Sequence, residues 1–120
     1  MKKFMAVYIG TAAAREKYNQ RFSDPVRRKS QEQAGMTAWS RWVKDNSDSI
    51  VDVGTPLGKT KRASPEGISD FRNNLVAYTI VQAESHEAAA RMFENHPHFT
   101  IFPGDSVEIL ECLPMPEVSA

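Results

Sequence analysis

Two of the three histidines, His96 and His98, flank a proline, and this pair is the chain's clearest candidate for chemistry. Imidazole titrates near neutral pH, so either ring can take or release a proton under ordinary conditions. Pro97 stiffens the backbone between them. Glu94 and Asp105 stand near enough in sequence to orient one ring, with Glu108 a little further on. A pair made of an imidazole and a carboxylate is a usable general acid or base. The competing reading is electrostatic: His96 ends a helix and interacts, partly protonated, with its dipole. Metal chemistry is not indicated, because His-Pro-His matches no specific zinc spacing and Cys112 is the only cysteine. The sequence therefore points to a site with neither metal nor organic cofactor.

Three aromatic residues are candidates to hold a substrate. Trp39 and Trp42, three apart, serve either as core wedges or as walls of a small-molecule cavity, and Tyr78 is placed with them. Glu108 sits among apolar neighbours, either at a sheet edge or in a pocket. Cys112 has no basic neighbour in sequence and reads as a buried structural thiol. Lys59-Thr60-Lys61-Arg62 is an anion-recognising lid or simply a solvated loop. The nearby Gly54-x-Pro56-x-Gly58 lacks the G-K-[ST] end of a phosphate loop.

The elements that must position these groups are readable from the pattern. Phe4–Ile9 is a compact apolar run ended by Gly10, as in a buried strand. A polar helical stretch covers about 12–21. Ser23-Asp24-Pro25 then announces a second helix, running to about Lys44, with Met36, Trp39 and Val43 on one stripe. Ser49–Val53 is a short strand. Residues 54–74 are irregular and long for a connection, with room for a hidden hairpin. Leu75–Ala83 is the strongest strand, Ser85 caps a helix expected to reach Asn95, and Pro97 is expected to stop it. Ser106–Cys112 is the last strand, ahead of a proline-containing tail over 114–120.

This β-α-β-β-α-β order predicts an α+β, ferredoxin-like split-βαβ domain over 1–113, with a four-stranded antiparallel sheet. The first and third strands are apolar on both faces, whereas a sheet with one wet face alternates. Something must cover the face without helices, and a second copy is the economical cover, giving a homodimer joined through its sheets.

Composition bounds the partners. The 120 residues include 15 basic and 15 acidic side chains, so the net charge is zero. That excludes partners bound by bulk positive charge, nucleic acid and anionic membrane among them. The balance is uneven, +5 over residues 1–48 and −5 over 49–120. If both helices share one sheet face, the opposite signs become neighbours. No apolar run is long enough to span a bilayer, no leader is apparent, and one cysteine suits a reducing cytoplasm.

The ordered motifs Met36-x-x-Trp39-x-x-Trp42, Gly54-x-Pro56-Leu57-Gly58, Tyr78-x-Ile80-Val81-x-Ala83-x-Ser85-x-Glu87-x-Ala89, His96-Pro97 and Val107-Glu108-Ile109 resemble the YCII-related (DGPF-type) family, within the dimeric α+β barrel superfamily. The resemblance spans about residues 3–113. It implies a ferredoxin-like protomer, a dimer and a small enzyme; some relatives act on chlorinated or hydroxylated aromatic compounds. The superfamily also contains muconolactone isomerases and cofactor-free monooxygenases. Better-studied members have a proposed His–Asp pair whose histidine lies in the first helical region. That pair has no counterpart here, where no histidine precedes His86. In place of Asp-Gly-Pro-Phe the chain reads Ser64-Pro65-Glu66-Gly67-Ile68.

Two functions are open at this level. One is cofactor-free acid–base chemistry, of isomerase, lyase or dehalogenase type, on a small cyclic or aromatic compound. His96 or His98 would carry the proton, Asp105 or Glu108 would be the partner, and Trp39, Trp42 and Tyr78 would hold the substrate. The other is a non-catalytic dimeric module that binds or senses a small ligand.

Overall fold

Strand β1 (Lys2–Ile9) is the centre of the sheet, paired antiparallel with β5 (Leu75–Ala83) on one side and β6 (Ser106–Glu111) on the other. The short β2 (Ile50–Asp52) pairs with β5, giving the order β2-β5-β1-β6. The fold is ferredoxin-like α+β with a four-stranded antiparallel sheet, as the element order predicts. The computed structural model describes residues 1–117, so the end of the expected tail lies outside the described residues.

Two capped helices follow β1. Thr11 Oγ1 accepts the Ala14 N–H at 3.2 Å and starts α1 (Ala12–Arg21). Asp24 Oδ1 accepts the Val26 N–H at 3.0 Å and starts α2 (Pro25–Asp45), where Pro25 fills the first position that needs no N–H. The core forms between sheet and helices. Phe4, Ala6 and Tyr8 of β1 join Val81 and Ala83 of β5, then Ala89 and Phe93, with Trp39 and Trp42 packed against them. A fully buried hydroxyl chain runs through this layer: Tyr8 and Thr79 share a hydrogen bond of 2.9 Å, and Thr79 donates to the Val53 carbonyl at 2.8 Å.

The opposite face carries Met5, Val7 and Ile9, whose registered neighbours include Ile80 and Tyr78 on β5 and Leu110 and Glu108 on β6. The core with the helices forms on the other face; here Leu110 is 49 % exposed, while Val7 is buried.

Two expectations are corrected, for the helix after Ser85 and for Cys112, and the hairpin that 54–74 had room for is present. The helix after Ser85 is short: α3 (His86–Arg91) ends early, Asn95 turns left-handed at φ 57°, and Pro97 opens a new helix, α4 (Pro97–Thr100), instead of stopping the old one. The irregular 54–74 segment contains a hairpin, β3 (Thr60–Ser64) and β4 (Gly67–Phe71), forming a separate two-stranded arm that is almost wholly exposed. Arg62 lies over the Phe71 ring at 4.6 Å. Cys112 is exposed rather than buried, because it lies just past the end of edge strand β6.

The charge split also resolves differently. The three Lys and Arg ion pairs among the described residues, Lys61–Asp70 and the two at Arg91, lie within the acidic portion, as does the His86–Glu111 contact. The cations of α1 and α2 have no carboxylate partner within ion-pair distance among the described residues, so the two halves are not zipped together by ion pairs.

Candidate functional site

Helix α4 exists around the two histidines. His96 is its N-cap: Nδ1 accepts the His98 backbone N–H at 3.0 Å. An accepting Nδ1 carries no proton, so the neutral ring is protonated at Nε2. That Nε2 is buried and has no hydrogen-bond partner among the described residues. Around it stands an aromatic box, with ring centroids of Trp39 at 4.6 Å, Trp42 at 4.7 Å, Tyr8 at 5.2 Å and Phe93 at 5.7 Å. Burial, and secondarily the charge of His98, push its pKa down to about 3. His96 is thus a neutral ring at a helix start, not a charged one at a helix end, which corrects the dipole reading.

His98 uses its ring differently. Nε2 donates to the Ile9 carbonyl at 2.7 Å, so the neutral ring keeps its lone pair on Nδ1. The same Ile9 oxygen also accepts the Asp105 N–H at 2.9 Å. Burial lowers the His98 pKa, while hydrogen bonding to Ile9, the Asp105 carboxylate and the Ser106 backbone pull it partly back. Gly104 packs closely against this ring. A Cβ there would stand 2.3 Å from Cε1 and Nε2 of His98.

A cavity of about 360 Å³ opens beside His98, lined also by Thr11, Arg15, Met36, Trp39 and Phe102, with Pro56 and Val76 across from α2. Its walls are mainly apolar, its few polar groups convergent, as small-molecule sites usually are. Asp105 does not bond to the imidazole. Its two carboxylate oxygens take the Thr11 N–H at 2.7 Å and the Thr11 hydroxyl at 3.1 Å, fixing the start of α1 and acting on His98 through charge.

The remaining candidates lie elsewhere. Trp42 donates Nε1–H to the Met92 carbonyl at 2.8 Å and belongs to the core, outside the cavity lining. Tyr78 and Glu108 face away from the helices, both in register with Val7 on the uncovered sheet face. Glu94 pairs with Arg91. Among the described residues no group of His, Cys, Asp and Glu is placed to hold a metal ion. Sequence reading missed Arg15, Thr11 and Phe102, which arrive at the cavity from α1 and the turn after α4. A larger concavity, about 840 Å³, is an open groove between the arm and the start of β5, and no histidine lines it. The 360 Å³ cavity has His98 in its lining.

No family model matches the chain, and no curated protein does either. A solved structure is similar to it. That structure is 5-chloro-2-hydroxyhydroquinone dehydrochlorinase (TftG) from Burkholderia phenoliruptrix AC1100, in complex with 2,5-dihydroxybenzoquinone, at 14 % identity and a TM-score of 0.49 over 89 % of each chain.

Proposed function

We propose that the protein is a small-molecule enzyme performing cofactor-free proton transfer on a cyclic or aromatic compound. The observation that carries this reading is His98: a buried, neutral imidazole with its Nδ1 lone pair unspent on Ile9, set in the wall of an apolar cavity that also holds Arg15. Arg15 has no ion-pair partner among the described residues. The chemistry follows from those two groups. Nδ1 of His98 takes a proton from a ring carbon next to a carbonyl group, the keto form of a hydroxyaromatic included, and the electron pair left behind spreads onto that oxygen. Arg15 stabilises the resulting negative charge. Returning the proton to another carbon completes an isomerisation. Alternatively the electron pair forms a double bond while a leaving group such as chloride departs, and His98 keeps the proton until solvent removes it.

The motif resemblance to YCII-related proteins supports the same class of activity. In this reading residues 1–113 act as a single domain, the working unit is a homodimer joined through the uncovered sheet faces, and the protein resides in the cytoplasm, where Cys112 stays reduced.

The test is carbon-bound deuterium. Cyclic enones, lactones and hydroxyaromatics, some chlorinated, are incubated with the protein in D₂O and followed by NMR, with chloride release measured in parallel. Deuterium incorporation or chloride release that disappears in His98→Gln supports the assignment. Compounds that bind without either reaction make the protein a ligand-binding module instead.

A further inference from the structure

Tyr18 stands apart from every group used so far. It is only 8 % exposed, on an otherwise polar helix, and its hydroxyl is buried with no hydrogen-bond partner among the described residues. Such a hydroxyl is costly unless something satisfies it. It lines a second cavity of about 270 Å³, together with Glu32, Arg15, Met36, Phe102 and Pro103. The last four of these residues also line the His98 cavity, so the two spaces adjoin across a shared wall.

The polar groups of the side cavity select by chemistry. Arg15 only donates hydrogen bonds, ionised Glu32 only accepts them, and the Tyr18 hydroxyl does both. Burial, and after it the negative charge of Glu32, raise the Tyr18 pKa, so the phenol keeps its proton. A carboxylate entering here would meet Arg15 favourably and Glu32 unfavourably; an ammonium group would meet the reverse. An uncharged group with both donors and acceptors is chemically compatible with all three side chains.

We propose that the Tyr18 cavity is a subsite for an uncharged hydrogen-bonding substituent, a carboxamide or a hydroxyl, on the compound whose ring occupies the His98 cavity. The assignment of the ring rests on the function proposed above. Arg15 then serves both spaces, facing the reacting ring on one side and the substituent on the other.

Isotope-labelled protein is titrated with 3-phenylpropanamide, 3-phenylpropanoate and phenol, with the Trp39 indole signal reporting the His98 cavity. The amide binds about tenfold tighter than the carboxylate in the wild type, and Tyr18→Phe weakens the amide roughly five- to tenfold while leaving phenol unchanged. Glu32→Gln narrows the gap between amide and carboxylate. Equal binding of amide and carboxylate, or an amide affinity indifferent to Tyr18→Phe, means that the space holds only water and overturns the subsite. The two proposals fail separately. Amide binding that depends on Tyr18, without any deuterium exchange, removes the catalytic reading and keeps the subsite. Exchange with no dependence on Tyr18 does the opposite. A protein that binds none of the three probes overturns the subsite outright.

Discussion

His96 and His98 are joined through the backbone rather than ring to ring: Nδ1 of His96 holds the N–H of His98 at 3.0 Å. One imidazole is spent on building the turn that presents the other. His96 is in this sense a positioning residue, and its own ring is sealed among Trp39, Trp42, Tyr8 and Phe93.

That sealing sets a pH dependence. The folded His96 ring has a pKa near 3 against an ordinary value of 6.5, so between these values the unfolded chain binds the extra proton. Its contribution to stability is complete above pH 6.5 and is lost as pH falls toward 3, by roughly 5 kcal/mol over the whole window at about 1.4 kcal/mol per unit. Urea unfolding at several pH values, on wild type and His96→Asn, measures it. The variant shows a flatter acid slope; parallel slopes would show that the ring does not carry the effect.

Gly104→Ala attacks the other ring. The added methyl meets Cε1 and Nε2 of His98 at 2.3 Å and its carbonyl oxygen at 2.4 Å, contacts that side-chain movement alone cannot relieve. A loss of about 1–3 kcal/mol is expected, together with loss of phenol binding as the imidazole leaves Ile9. Thermal unfolding and the His98 ring resonances report both effects.

The two tryptophans separate cleanly. Trp42→Phe gives up the bond to the Met92 carbonyl and costs about 1–2 kcal/mol, with probe binding retained. Trp39→Phe weakens phenol binding more than it weakens the fold, since Trp39 lines the cavity. Denaturation and titration on the same two variants distinguish core from wall.

The uncovered sheet face predicts a dimer. Leu110→Lys places a charge where Leu110 is half exposed, so it leaves the protomer folded while dissociating the pair. Sedimentation at micromolar concentration shows dimeric wild type and monomeric variant; a monomeric wild type removes the dimer.

Much of the fold was legible because β1 and β5 are dense apolar runs and because Thr11, Asp24 and Ser85 cap their helices in the ordinary way. The break at Asn95 was not. Histidine is not a usual N-cap, and here its capping geometry exists only once the aromatic box encloses the ring. The β3–β4 arm was hidden for another reason: it buries almost nothing, so no alternation marks it. At the site, the His-Pro-His cluster was visible, but the faces were not. Tyr78 and Trp42 are placed away from the cavity by strand parity and by helix rotation, neither of which residue type reveals. Arg15 and Tyr18 lie on a helix with almost no apolar stripe, and the Thr11–Asp105 bonds span 94 positions in the chain.

The carbonyl of Ile9 is claimed twice, by the His98 ring and by the Asp105 amide. It closes the last pair of β1, whose partner Ser106 opens β6. The seat of the imidazole is therefore on β1, at the end where β6 begins to pair. On the function proposed above, fraying at that end of the sheet would unseat the ring, so activity and local stability would be lost together.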